Sequence, residues 1–255
     1  MAAVTDRTIR PGQATPEAQW LHWPALREAP VIAADELVPP GARAVVVAPH
    51  PDDEVLAAGG LMRQLLQQGR SLCVVAVTDG EASPPGSTPC PAARLAPQRA
   101  QEQREALRPL GATDAVQVHR LGFPDGGLQA RRAALQDALH AVLRPGDVLV
   151  TTWRLDGHPD HEAVGEASAD AALRRGARQV EVPVWGWHWS RPSDTPMPWT
   201  RARRLLLDDS DVAAKGRALE AFQTQLQGDP STGAGPILDD ASRARARRAF
   251  ELLFV

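Results

Sequence analysis

Short runs of consecutive hydrophobic residues alternate along this chain with segments whose hydrophobic residues recur at helical spacing. The first run, residues 43–48 (RAVVVA), is β-branched and continuous, and similar runs occupy residues 71–78, 115–121 and 146–152. Such runs are typical of strands that are buried on both faces of a parallel sheet. After the first run, Val55, Leu56, Leu61, Leu65 and Leu66 predict a helix that ends near Gly69.

The order of the elements predicts an α/β fold. Further helices are expected at about 94–109, at 129–143, in a segment ending near Gly176 and at 211–227, with further strands at 179–187 and 203–209. Alternating strands and helices require crossover connections, which build a mostly parallel sheet with helices on both faces. We therefore predict one Rossmann-like domain over residues 41–255, with residues 1–40 as a proline- and alanine-rich arm packed on it. The proline-rich loop from Ala82 to Pro97 is expected to shape access to a site.

Composition narrows the classes of function. A content of 43% hydrophobic and 23% charged residues is ordinary for a globular protein and excludes disorder as the main state. The net charge of -3 disfavours nucleic acid and anionic membranes as partners, so a small polar molecule is the expected ligand. Lys215 is the only lysine, which argues against a Schiff-base mechanism. Cys73 and Cys90 lack CxxC spacing, and no apolar segment has the length of a signal-peptide core or a membrane span, so a cytoplasmic protein is expected.

Two segments carry the candidate chemistry, and they share one construction. His50-Pro51-Asp52-Asp53-Glu54 follows the first predicted strand, and His158-Pro159-Asp160-His161 follows the fourth. Ligands of open α/β sheets bind beyond the carboxyl ends of the strands. Each proline restricts the histidine before it and can begin a helix. Asp53 lies three residues after His50, and His161 lies three residues after His158, which places the two members of each pair on one side of the helix.

The collected side chains match the chemistry of a catalytic zinc site. Two imidazoles and one carboxylate can occupy three corners of a tetrahedron, with water at the fourth. A spare aspartate and a spare histidine would supply the general base and the oxyanion donor that hydrolysis requires. As an alternative, acidic residues alone could stabilise a helix N-terminus by about 0.3–1 kcal/mol each. Their occurrence together with histidines after two strands favours a metal site.

Two other classes of function remain open. The set His50, Asp52 and His161 imitates the two-histidine, one-carboxylate site of Fe(II) oxygenases. The spare carboxylate and histidine favour hydrolysis over oxygenation. A non-catalytic carbohydrate-binding module is the third class, and it would make no use of the additional carboxylate.

The chain resembles the LmbE/PIG-L family of zinc-dependent N-acetylglucosaminyl deacetylases, which includes the deacetylases of mycothiol and bacillithiol synthesis. The family's first motif, (A/P)HPDDE, matches residues 49–54, and its second, HxDH, matches residues 158–161. Between them, Arg99, Glu102 and the Leu110-Gly111 pair resemble a third block, and Leu121–Gly126 resembles a Leu-Gly-x-Pro-Asp-Gly turn. The resemblance covers residues 43–190 and implies hydrolysis of the N-acetyl group of an amino-sugar-containing molecule or conjugate.

The resemblance also implies roles for individual residues. Zinc ligands would be His50, Asp53 and His161, and Asp52 would be the general base. His158 would stabilise the oxyanion and protonate the leaving amine, with Asp160 orienting it. Arg99 resembles an arginine that binds substrate in some relatives, although a helix-surface ion pair with Glu102 is an equal alternative.

One departure from the family pattern concerns an oxyanion-assisting tyrosine. Some relatives carry this tyrosine two residues before His158, where this chain has Asp156, and the chain contains no tyrosine. Asp156 and His188 are therefore candidate substrate contacts, although a hydrogen-bonded core histidine is the default for His188. Trp185, Trp187 and Trp189 would share one face of the predicted strand, as core packing or as a sugar platform. Arg243, Arg245, Arg247 and Arg248 predict a solvated terminal helix.

Overall fold

A seven-stranded sheet forms the centre of the computed structural model, which describes residues 6–10, 12–83, 91–112, 116–192 and 196–255. The strands of these described segments are β1 (Ala44–Ala48), β2 (Leu72–Thr78), β3 (Val116–Phe123), β4 (Val148–Thr152), β5 (Arg178–Val182), β6 (Ala202–Leu206) and β7 (Phe250–Phe254). They lie in the order β3-β2-β1-β4-β5-β7-β6. The pairs among the first five strands are parallel, whereas β7 runs antiparallel to β5 and β6. The predicted α/β class with a mostly parallel sheet is confirmed.

The helices of the described residues cover both faces of the sheet. They are α1 (Glu17–His22), α2 (Pro24–Arg27), α3 (Ala34–Leu37), α4 (Asp53–Gln67), α5 (Ala92–Leu107), α6 (Arg132–Val142), α7 (Pro159–Arg175), α8 (Gly186–Trp189), α9 (Asp209–Leu219), α10 (Gln223–Leu226) and α11 (Asp240–Ala246). One apolar core packs α4 and α9 on one face of the sheet, and a second packs α6 and α7 on the other. Among these helices, none is long and apolar enough to cross a membrane.

The buried strands lie close to where continuous hydrophobic runs predict them. The β1 and β4 strands are buried at every position, as expected of strands covered on both faces. Gly69 has a φ of 67° just beyond α4, which is the left-handed conformation that ends a helix. Residues 84–90 of the predicted access loop lie outside the described residues, and its last part is helical, because α5 begins at Ala92.

Three predictions about the C-terminal half were wrong. The strand predicted at 179–187 ends at Val182, and residues 186–189 form α8 instead. The strand predicted at 203–209 ends at Leu206, and a further strand that was not predicted, β7, follows it in the chain and inserts between β5 and β6. The arginine-rich segment is not simply a solvated terminal helix. The Arg248 side chain is buried, with its guanidinium 4.1 Å from the centre of the Trp187 ring and bonded to Glu17.

The described part of the N-terminal segment packs against the sheet's antiparallel edge. Trp20 is fully buried in a cluster with Trp153, Trp187 and Phe254. The Trp20 indole nitrogen donates to the carbonyl oxygen of Trp187 at 3.1 Å. Val31 forms a parallel bridge with Arg204 of β6. These contacts continue the core of the domain into residues 17–34.

Candidate active site

The two motif segments meet at the carboxyl ends of β1 and β4, which are neighbours in the sheet. After β1 the chain adds β2 and β3 on one side of this pair, and after β4 it adds the remaining strands on the other side. The direction in which strands are added therefore reverses between β1 and β4. Crevices at such reversal points are the usual ligand sites of open α/β sheets. The ring centroids of His50 and His158 are 5.1 Å apart, and those of His158 and His161 are 4.9 Å apart.

His50, Asp53 and His161 form a cluster that could hold a metal ion. The Nδ1 atom of His50 and the Nε2 atom of His161 each lie 3.2 Å from the same oxygen, Oδ2 of Asp53. Ligands at zinc-bond lengths of about 2.0–2.1 Å in a tetrahedron are about 3.3 Å apart. Within the described chain, the buried Nε2 atom of His161 has no hydrogen-bond partner. An unsatisfied buried nitrogen aimed at a carboxylate fits a metal ligand.

Charge in the cluster separates the two adjacent aspartates. Burial opposes ionisation of Asp53, but His161 and His50 hold the pKa of its carboxyl far below the usual range. Burial raises the pKa of Asp52 to about 7, against the charge of Arg99, which lowers it, and with a smaller upward contribution from the charge of Asp53. For His161, burial lowers the pKa, but Asp53 and Asp156 more than compensate and raise it to about 9.

The backbone holds Asp52 in a conformation that is rare for a side chain other than glycine. Its φ is 130°, and among the described residues it is the only non-glycine with positive φ. Such conformations cost about 1–3 kcal/mol and cluster at functional sites. The carbonyl oxygen of Asp52 accepts the N–H groups of Val55 and Leu56, which begins α4. Its side chain lines a cavity that His50, Asp53 and His158 also line, the central cavity.

Arg99 reaches the site from α5 and pairs with Asp52. Its Nη2 atom lies 3.3 Å from Oδ2 of Asp52 and donates to the carbonyl oxygen of Pro51 at 2.7 Å. Its Nη1 atom donates to the carbonyl oxygen of Gly80, where a Cβ atom would stand 2.1 Å from that nitrogen. The alternative ion pair with Glu102 is not formed, because Glu102 accepts hydrogen bonds from Thr224.

His158 lines the cavity beside the cluster. The backbone N–H of Asp160 donates to Nδ1 of His158 at 3.3 Å, which leaves the proton of a neutral ring on Nε2. Burial, together with the charges of His161 and His50, lowers the pKa of His158 to about 3. His158 is therefore a neutral N–H donor in this arrangement.

Asp156 lies beneath the site and does not face the cavity, contrary to its place among the expected substrate contacts. Its carboxylate is fully buried and lies 2.8 Å from Nδ1 of His161. It also accepts the backbone N–H groups of Val184, Trp185 and Gly186. The side chain thus fixes a candidate metal ligand to the loop after β5.

Asp160 orients a different histidine from the one expected. Its Oδ2 atom lies 3.4 Å from Nε2 of His50, and the backbone N–H groups of Gly126 and Leu128 donate to its carboxylate. Asp125 lies closer to the same His50 nitrogen, at 3.1 Å. Both carboxylates therefore hold the outer nitrogen of His50, as acidic groups commonly do for metal-bound histidines.

The remaining candidates lie at the edge of the cavity. His188 is buried, and its Nε2 atom contacts the carbonyl oxygen of Arg10 at 3.0 Å, which agrees with a hydrogen-bonded core histidine. The three tryptophans do not share a face, because their segment is not a strand. Trp185 stacks at 6.5 Å from the His158 ring, Trp187 packs on Trp20, and Trp189 donates to the carbonyl oxygen of Asp156.

Sequence reasoning gave Asp125 no role of its own, and it placed Glu54 among the side chains of the candidate crevice, where the structure does not place it. Asp125 belongs to the Pro-Asp-Gly turn, so the motif itself could have identified it. Glu54 is fully buried, its Oε2 atom accepts the backbone N–H of Asp52, and burial raises its pKa to about 8. It supports the motif from behind and does not line the cavity.

A Rossmann-like sheet with this cluster and a neighbouring carboxylate is typical of hydrolases that use a metal ion. Residues 45–172, half of the chain, match the family model for PIG-L, described as GlcNAc-PI de-N-acetylase, and the chain belongs to this family. Family membership confirms the resemblance deduced from the motifs. It also confirms the enzyme class, because the members are deacetylases that hydrolyse amides.

Named relatives share most of their length with this chain. The diacetylchitobiose deacetylase of Thermococcus kodakarensis is 29% identical over 198 residues, covering 73% of this chain and 71% of the relative. The 1D-myo-inositol 2-acetamido-2-deoxy-alpha-D-glucopyranoside deacetylase of Corynebacterium efficiens is 28% identical over 230 residues, covering 73% of each.

Solved structures share the fold. A conserved protein from Thermus thermophilus superposes with a TM-score of 0.54 and 25% identity, covering 79% of this chain and 84% of its own. The zinc-inhibited form of a teicoplanin deacetylase gives a TM-score of 0.59 at 18% identity, covering 84% of this chain and 97% of its own. The sheet and its surrounding helices are thus shared with these two proteins.

Proposed function

We propose that the protein is a zinc-dependent deacetylase that hydrolyses the N-acyl amide of an amino-sugar-containing small molecule or conjugate. The observation that carries the proposal is the convergence of His50 Nδ1 and His161 Nε2 on one oxygen of Asp53, with Asp52 lining the same cavity. Nitrogen and oxygen donors at these separations suit zinc. A bound zinc ion would polarise the amide carbonyl and lower the pKa of a water molecule.

The side chains around the amide have separate tasks in this proposal. Asp52 accepts a proton from the attacking water and delivers it to the amine nitrogen as the C–N bond breaks. His158 donates its Nε2–H to the carbonyl oxygen, which gains negative charge in the tetrahedral intermediate. Because the pKa of His158 is low, Asp52 is the better proton donor to the leaving amine.

The surroundings of the cluster support these roles. Asp156 fixes the ring of His161, and Asp125 and Asp160 fix the ring of His50. Arg99 holds Asp52 in place from behind, with its guanidinium also bonded to two backbone carbonyl oxygens. Because the guanidinium of Arg99 is fixed by these carbonyl oxygens, it gives the carboxylate of Asp52 a rigid neighbour.

The relatives' names support an N-acetylated amino sugar as the substrate class. Diacetylchitobiose and an inositol-linked acetamido sugar share an acetamido group on a pyranose ring. A cytoplasmic location belongs to the same proposal, and the scarcity of cysteines supports it.

A free-amine release assay tests the proposal. The protein is dialysed against a chelator, reloaded with zinc and incubated with N-acetylglucosamine, diacetylchitobiose and acetamido-sugar conjugates. We expect acetate and amine to form in equal amounts, to disappear with the chelator and to return with zinc. Oxygen consumption with iron and a 2-oxoacid would instead identify an oxygenase, and sugar binding without turnover would identify a binding module.

A further inference from the structure

The cavity that contains the proposed catalytic residues is much larger than an acetyl group requires. Its volume is about 790 Å³, and His50, Asp52, Asp53 and His158 line only part of it. This volume lies in the upper half of the range of small-molecule pockets, about 300–1,000 Å³. An acetyl group contributes a single methyl to such a space.

The apolar part of the wall begins at the catalytic cluster. Leu56 and Ala57 follow Asp53 by three and four residues on α4, so they continue its face by one helical turn, about 5.4 Å. Trp185 lies beside the ring of His158, with centroids 6.5 Å apart. Ile237 and Phe250 extend the apolar lining.

The charged side chains in the wall are engaged with other parts of the chain. Lys215 Nζ lies 2.6 Å from Glu251, and Arg248 binds both carboxylate oxygens of Glu17. Arg245 donates to the carbonyl oxygen of Thr15 at 3.2 Å, while its Nε atom has no hydrogen-bond partner in the described chain. A sugar in this part of the cavity would lose hydrogen bonds to water and, apart from those that the Arg245 Nε atom could supply, would have to break these contacts to replace them.

The part of the cavity wall beside His50 is polar and suits a sugar. Ser83 and Asp125 line the cavity, and Asp125 lies 3.1 Å from His50. Hydroxyl groups of a sugar that leave water could form hydrogen bonds with these polar side chains instead. The two kinds of lining suit a ligand with a polar end and an alkyl end, joined at the cluster.

We propose that the apolar part of the cavity binds the alkyl chain of a long N-acyl group, so that the enzyme prefers N-acyl amino sugars with medium or long chains over N-acetyl ones. This inference rests on the proposed function. Hydrolysis adds water across the amide bond, and the products are a fatty acid and a free amine.

A chain-length series tests the preference. The zinc-loaded protein is assayed for amine release from N-acetyl-, N-butanoyl-, N-hexanoyl- and N-octanoyl-glucosamine. Each methylene that is buried should raise kcat/KM about threefold to fourfold until the cavity is filled. A flat or falling series overturns the inference. So does a gain that appears only when the octyl group is moved to the anomeric oxygen of N-acetylglucosamine.

Binding of the acid product separates this inference from the proposed function. Calorimetric titration of the metal-free protein with octanoate and with acetate needs no turnover. Octanoate should bind at least about tenfold more tightly, which corresponds to two buried methylenes. Octanoate binding without hydrolysis of any amide would retain the alkyl site and refute the deacetylase. Hydrolysis of the acetyl substrate without octanoate binding would retain the deacetylase and refute the alkyl site.

A variant that fills the cavity provides the second test. Ile237 is a half-buried loop residue in the apolar wall, so Ile237→Trp adds bulk there. The octanoyl-to-acetyl ratio of kcat/KM should fall about tenfold, as expected for two methylenes displaced. Leu173→Trp is the matched control, because Leu173 lies on α7, is 83% exposed and does not line the cavity. Equal ratios in the two variants would contradict the assignment, and octanoate titration checks Ile237→Trp independently of its activity.

Discussion

Asp52 and Asp53 are adjacent in the chain but differ in what surrounds their carboxylates. Asp53 faces two histidine nitrogens at 3.2 Å, whereas Asp52 faces Arg99 and the cavity. We expect Asp53→Ala to lose zinc and activity together. Asp52→Asn should keep zinc, because it removes no ligand, while kcat falls about 10²- to 10⁴-fold through loss of the general base.

Zinc content and amine release, measured on the same preparations, check this prediction. Asparagine also tolerates the positive φ of position 52 better than most residues, so a folding defect is not expected. An active Asp52→Asn protein would remove the proposed base. A zinc-free one would mean that base and ligand are exchanged.

Asp156 holds His161 through a carboxylate that accepts four N–H groups, and this predicts an effect on metal affinity. Each of the two carboxylate oxygens accepts two of these N–H groups. In Asp156→Asn, the amide nitrogen therefore replaces an acceptor and faces two N–H donors in either orientation of the amide. Zinc affinity should fall about 10- to 100-fold. Competition with a chromophoric chelator measures it. Asp137→Asn is the control, since the Asp137 side chain is 73% exposed, and equal affinities in the two variants would contradict the assignment.

At the scale of elements, α4 is interrupted directly behind the catalytic motif. Ala58 has non-helical dihedral angles, φ −143° and ψ 21°. Glu251 of β7 accepts the N–H groups of Gly60 and Leu61 at 2.7 and 2.9 Å, and Lys215 of α9 donates to the carbonyl oxygen of Leu56 at 3.0 Å. The buried ion pair therefore satisfies the backbone groups that the break would leave without partners.

This arrangement predicts a large cost for removing the single lysine. Lys215→Met leaves Glu251 as a buried, uncompensated charge, so the free energy of unfolding should fall by about 3–5 kcal/mol. Urea denaturation measures the loss. Arg174→Met breaks an exposed pair with Asp137 and should cost at most about 1 kcal/mol. Similar losses for both variants would show that the buried pair does not support the break.

Elements that depend on local patterns were predictable from the sequence, and those that depend on distant contacts were not. The runs that became β1 and β4 are continuous and apolar, and each leads into a histidine-proline motif. The end of β5 is set by Asp156, which captures the N–H groups of residues 184–186 from a different part of the chain. The short segment Phe250–Phe254 becomes a strand only because β5 and β6 lie on either side of it.

The same distinction applies to the site. The proposed ligands and base fall within two motifs of six and four residues, so their types and spacing identify them. The groups that orient them come from elsewhere, as Asp125 does for His50 and Arg99 does for Asp52. Asp160 is in the motif, yet its partner is the histidine of the other motif, which only the pairing of β1 with β4 reveals.

At the scale of the whole molecule, the N-terminal arm is connected to the site by several contacts. The N–H of Thr15 donates to the carbonyl oxygen of His188 at 3.1 Å, and Ile9 and Gly12 line the central cavity. Further along, Trp20 packs edge-to-face on Trp187, with ring centroids 5.0 Å apart. These contacts predict that the described residues of the arm contribute to the stability of residues 41–255, and that the arm and the rest of the domain unfold together.

Trp20→Ala tests this view of the arm. The substitution empties a fully buried indole site and removes the donor to the carbonyl oxygen of Trp187, so unfolding should become about 3–5 kcal/mol easier in urea. Leu21→Ala is the matched control, because Leu21 is the next residue of α1 and is 43% exposed. It should change the free energy of unfolding by no more than about 0.5 kcal/mol. If Trp20→Ala is as stable as Leu21→Ala, the arm is an attachment that the domain folds without. A large loss in a single cooperative transition means that the arm and the sheet unfold together, because a separate unit would melt at a lower urea concentration and leave the main transition unchanged.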